Sequence, residues 1–92
     1  MSMQKAVITV VGKDTVGIIA RVCTNLADER INILDITQSI VNGYFNMMMI
    51  VDVTDLKKPF GEVSDDMETL GEKIGVQIRC QKEEIFDSMH RI

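Results

Sequence analysis

A chain of 92 residues has room for one domain, and 46% hydrophobic with 26% charged residues is ordinary for a globular protein. The formal charge of −4 and the pI near 4.8 argue against a nucleic-acid binder, which presents a basic stripe to phosphates. No apolar run approaches the roughly 20 residues that span a bilayer, and residues 6–11 are too short for the core of a secretory signal, so a cytoplasmic location without membrane contact is expected.

Residues 5–11, KAVITVV, are rich in β-branched side chains and end at Gly12, which reads as a strand. Both of its faces are largely apolar, as in the middle of a sheet. From residue 16 to about 30 the period changes. Ile19, Val22, Cys23, Leu26 and Ala27 recur at helical steps, and Asp14 or Thr15 can cap the first turn. Residues 32–41 alternate, with Leu34, Ile36 and Ile40 on one side. Asn42-Gly43 then marks a two-residue hairpin, since both positions of a type I′ turn need positive φ. The return strand sets Phe45, Met47, Met49, Val51 and Val53 on one face, with Tyr44, Asn46, Met48 and Ile50 on the other. Pro59 suits a helix start, and Phe60, Val63, Met67, Leu70 and Ile74 form a second stripe that Gly75 can end. Residues 76–81 alternate again, and the tail carries Ile85, Phe86, Met89 and Ile92 at helical spacing.

This order predicts an α+β, ferredoxin-like βαββαβ fold: a four-stranded antiparallel sheet with two helices on one face, plus a short C-terminal helix. One domain is expected over residues 1–92, its core at about 5–82 and its tail helix at about 83–92. Right-handed crossovers make the first and third strands central. The helices then leave Val7, Val11, Met48 and Ile50 on the other face, to be covered by the tail, a second subunit or both.

Residues 12–19 join the first strand to the first helix. Helix N-terminal amides suit a carboxylate or other small anion, Gly17 allows close approach, and Asp14 could receive an ammonium group. The same residues also fit a plainer reading, in which Asp14 caps the helix and Gly17 permits tight packing. Neither G-x-G-x-x-G nor G-x-x-x-x-G-K is present, so no nucleotide cofactor is implied. His90 is the single histidine, and Cys23 and Cys80 fall on core faces, which speaks against a Cys-His nucleophile pair. With no C-x-x-C or H-x-x-x-H pair, neither a metal site nor catalysis is expected. The two cysteines are expected as reduced thiols. Asp65, Asp66, Glu68 and Glu72 read as a solvated helix face.

Asp14-Thr15-Val16-Gly17-Ile18-Ile19, followed by the helix and Arg30-Ile31-Asn32-Ile33, resembles the ACT-domain pattern over roughly residues 6–82. The tail is similar to that of free-standing microbial ACT proteins, and a weaker similarity is to the ACT halves of the glycine-cleavage repressor. The resemblance implies an amino acid bound where two domains sit side by side. By matching position, Asp14, Gly17 and Asn32 would supply contacts, with Gly12 and Ile18 lining the site. Val16 stands where the family often has Pro, and Asp14 where amino-acid-binding members can carry Asn. The expectation is a homodimeric regulatory domain for an amino acid or similar small anion. The alternative is a ligand-free module that docks another protein through its sheet face or an edge strand.

Overall fold

A computed structural model describes residues 3–13 and 17–83. Six elements follow one another: β1 (Lys5–Lys13), α1 (Ile18–Asp28), β2 (Asn32–Val41), β3 (Tyr44–Asp52), α2 (Phe60–Ile74) and β4 (Val76–Lys82). The strands form one antiparallel sheet in the order β2-β3-β1-β4, so β1 and β3 are central, as their two-sided apolar pattern predicts. The tail expected to form a terminal helix, with His90, lies outside the described residues beyond Glu83. Among the described residues no helix is long and apolar enough to cross a membrane.

Opposed residues of neighbouring strands share a face. Ala6, Ile8 and Val10 lie opposite Val51, Met49 and Met47, and all six are buried beneath the helices with Val76 and Ile78 of β4. The hairpin turns on Asn42 and Gly43 with φ of 53° and 80°, the two left-handed positions that a type I′ turn requires. Helix α2 ends at Gly75 in the left-handed conformation (φ 81°), as expected of a C-terminal glycine.

Helix α1 differs from its expected phase. Its buried residues are Ile18, Val22 and Leu26, while Ile19 is 38% exposed and Ala27 is exposed. Gly17 occupies the N-cap with φ 87°, and the helix begins at Ile18 rather than near residue 16. That start aligns positions 18, 22 and 26 with the sheet and moves Ile19 about 100° around the axis. Strand β2 carries a register shift between Ile33 and Asp35 that isolates Leu34. Ile36 and Ile40 oppose Met49 and Phe45 on the helix side, yet both remain exposed because the strand lies at the sheet margin.

The face away from the helices is built in rows: Gln81–Val7–Ile50–Asp35, Arg79–Thr9–Met48–Thr37 and Gln77–Val11–Asn46–Ser39. Val7 is 4% exposed, whereas Val11 and Met48 are 43% and 42% exposed. The apolar residues expected on this face are therefore there, and coverage falls off towards the hairpin end.

Two glycines set how closely the layers approach. A Cβ on Gly71 would stand 2.7 Å from the Val76 carbonyl oxygen, and one on Gly12 would stand 2.7 Å from Val76 Cγ1. Helix α2 thus rests directly on the backbone where β4 begins. Gly71→Ala is expected to cost about 1–3 kcal/mol through overpacking. Gly61→Ala, on the same helix with open space around it, should be neutral or stabilise by up to about 1 kcal/mol. Urea unfolding of the two variants checks the contrast, and equal midpoints would refute the close-packing account.

Candidate functional site

Strand β1 ends at Lys13 opposite Tyr44, at the hairpin end of the sheet, and Gly17 is the N-cap of α1. Gly17 is exposed with nothing within 4 Å of where a side chain would start, and its carbonyl accepts the first helical bond from the Arg21 amide at 3.0 Å. No side chain caps α1 among the described residues, so the amides of its first turn, including that of Ile18, have no helical carbonyl to meet. These amides and the helix dipole together favour an anion. Asp14, the expected partner for an ammonium group, lies outside the described residues.

Two expected lining residues also serve the packing of the domain. The Ile18 side chain is 3% exposed and packs in the core, so this residue faces the turn through its backbone only. Gly12 is pressed against Val76, which accounts for the missing side chain by strand packing.

Asn32 is exposed and opens β2 opposite Asp52, which in β3 lies opposite Lys5. Gly12 lies at the other end of β1, opposite Phe45. Seven residue steps separate the two rows, on the order of 24 Å along the strand. One chain therefore does not bring Asn32 to the turn at Gly17.

The Asn32 end contains a small polar cluster that periodicity does not reveal. Asp52 Oδ1 accepts from the Thr54 amide at 2.9 Å and from Thr54 Oγ1 at 2.6 Å, and Thr54 Oγ1 accepts from the Gln4 amide at 3.0 Å. The spacing Asp-x-Thr is the sequence signal for such a turn. On the helix side, Lys58 pairs with Glu29 at the end of α1 (3.4 Å) and with Asp66 of α2. The hydrogen bond to Asp66 leads in raising the Lys58 pKa above its ordinary value. Cys23 and Cys80 are free and half-buried, and the described residues hold no cluster of three or more His, Cys, Asp or Glu suited to a metal.

The ACT domain profile matches residues 4–81. The chain belongs to the ACT-domain family. A UPF0237 protein of Bifidobacterium longum is 63% identical over 90 residues, covering 98% of this chain and all of that one. An ACT domain protein from Streptococcus pneumoniae is 40% identical with a TM-score of 0.82, covering 94% of this chain and 97% of that one. A structure assigned as a glycine cleavage system transcriptional repressor matches at TM-score 0.75 and 23% identity, covering 89% of this chain and 47% of its own, a likeness of fold. ACT domains are generally regulatory, small-molecule-binding units of ferredoxin-like fold.

The Thr54 hydrogen bonds hold the Asp52 carboxyl below its ordinary value of 3.8. A carboxylate favoured in the folded state contributes stability above the unfolded pKa and loses it as pH falls through the folded value. The melting temperature of the parent should therefore drop more steeply below about pH 4 than that of Asp52→Asn, which lacks this titration. Parallel curves in a pH series of thermal melts would contradict the assignment.

Proposed function

We propose that this ACT-domain protein is a homodimeric regulatory unit that binds an amino acid or similar small anion at the boundary between two copies. The carrying observation is the β2 edge. Leu34, Ile36, Ile40 and Val41 are exposed along an outer strand that contains neither Lys nor Pro, the residues that usually guard such an edge. A second copy adding its own β2 antiparallel would join the two sheets and cover these side chains.

The same two-fold reconciles the separated site residues. It sets the Asn32 end of one β2 beside the Val41 end of the other, the end at which Gly17 and the first amides of α1 lie. On this reading the α1 amides receive a carboxylate, Asp14 receives an ammonium group, and Asn32 of the second copy closes the site. The role is regulatory rather than catalytic. Binding is coupled to association because each site draws on both chains.

A thermal-shift screen of amino acids tests this. A ligand at about ten times its Kd adds about 1.4 kcal/mol and should raise Tm by roughly 6–11 °C. Asp14→Ala and Asn32→Ala should lose that response while keeping their basal Tm. Sedimentation equilibrium should give a dimer that Ile40→Lys converts to monomer, abolishing the response. A monomeric parent would sink the shared site, and an absence of any amino-acid shift would sink the sensor.

The exposed Val11, Tyr44 and Met48 on the open face support a second reading, a ligand-free module that docks another protein there. That reading gains ground if no amino acid stabilises the parent and Met48→Lys, rather than Ile40→Lys, disrupts association.

A further inference from the structure

The opposite edge of the sheet is built differently. Among the described residues strand β4 has a sheet neighbour on one side only, β1, and pairs with it without a bulge from Val76 to Lys82. Beyond its outer side, between the strand and α2, runs a groove of about 600 Å³. The helix wall is Ser64, Glu68 and Glu72, spaced by four and so on one face of α2, with Gly71 and Gly75 leaving room beside them. The strand wall is the row from Val76 to Gln81, whose helix-side members include Ile78 and Cys80.

The groove carries two kinds of recognition chemistry. From Val76 to Cys80 no further strand among the described residues meets the outer backbone of β4, which leaves main-chain donors and acceptors at extended-strand spacing. Above them lie the Glu68 and Glu72 carboxylates, which outnumber Arg79, the cation that also lines the groove. The Cys80 floor adds no charge: burial, with the Glu68 carboxylate nearby, pushes its thiol up to about 12.

We infer that the α2–β4 groove is a docking site for an extended, lysine- or arginine-bearing segment of another protein, which adds as a strand to β4 and sets its cationic side chains against Glu68 and Glu72. This is strand addition, in which main-chain hydrogen bonds supply affinity and alternate side chains supply selection. A second copy of this chain is a poor occupant. A two-fold across β4 brings both α2 helices to the same side of the joined sheet, with Glu68 and Glu72 turned towards their own counterparts. Each chain also carries a formal charge of −4. A cationic strand escapes both repulsions when its charges sit over Glu68 and Glu72, away from Arg79, and the site is independent of the β2 edge, so it provides a route by which a ligand-binding domain engages a separate protein.

The test uses the whole chain and three capped, fluorescein-labelled heptapeptides: one alternating threonine and lysine, one with glutamate in place of lysine, and the lysine peptide N-methylated at alternate residues. Anisotropy should show the lysine peptide bound, the other two at least about ten-fold weaker, and Glu68→Gln/Glu72→Gln weakening the lysine peptide but not the glutamate peptide. Amide shifts in a 15N spectrum should map to residues 64–81. Binding of the N-methylated peptide as tightly as its parent would reduce the effect to charge attraction and overturn strand addition. So would shifts centred on β2 or the open face, or no binding at millimolar peptide. A parent dimer whose β4 amides become exchangeable only on dissociation would assign the edge to a second copy and overturn the proposal. None of these outcomes depends on Asp14 or Asn32, so the amino-acid site stands or falls separately.

Discussion

Helices of eleven and fifteen residues cover one face of this four-stranded sheet, and that single-sided covering governs the rest of the molecule. It demands two central strands whose helix-side residues are fully apolar, and β1 and β3 supply them in register. The margins and the far face are left to solvent or to partners. The strongest constraint within the covered layer is the contact of Gly71 with the Val76 backbone, because it fixes the height of α2 above β4. The groove outside β4 owes its shape to that height.

The two margins have opposite characters. Strand β2 exposes aliphatic side chains and carries a single charge, Asp35, and neither Lys nor Pro, which suits a partner of the same kind. Strand β4 borders an acidic helix wall, which suits a partner of opposite charge. An ACT domain of this build carries two non-equivalent edges on one rigid sheet. Binding at one need not displace a molecule at the other, since the whole width of the sheet lies between them.

Much of this was legible before any coordinates. The parity of Phe45, Met47, Met49 and Val51, the Asn42-Gly43 turn and the Gly75 terminus are each set by local chemistry, and all three are found in place. What escaped depends on how elements meet. Ile18 and Ile19 are equivalent in hydrophobicity, and the left-handed Gly17 decides which of them faces the sheet. The irregularity at Leu34 leaves no mark on a pattern of alternation. Gly71 sits within an apolar stripe as a gap, and only the approach of β4 gives that gap a purpose. The site itself was legible as a list of residues and not as an arrangement. Gly17 and Asn32 contribute to one site in the family pattern yet lie at opposite ends of this sheet.

Between sheet and helices lie Met47, Met49 and Met67, all buried in the same cluster. Unbranched thioethers have three rotatable bonds and refill a changed space at little cost, whereas branched side chains resist it. A change of volume in this cluster is therefore tolerated more readily than among branched side chains, while the glycine contact at Val76 holds the height of α2. Lys58, paired to Glu29 and Asp66, ties the end of α1 to α2. Both pairs are solvent-accessible, so this tie between the helices weakens as ionic strength rises, whereas the glycine contact at Val76 does not.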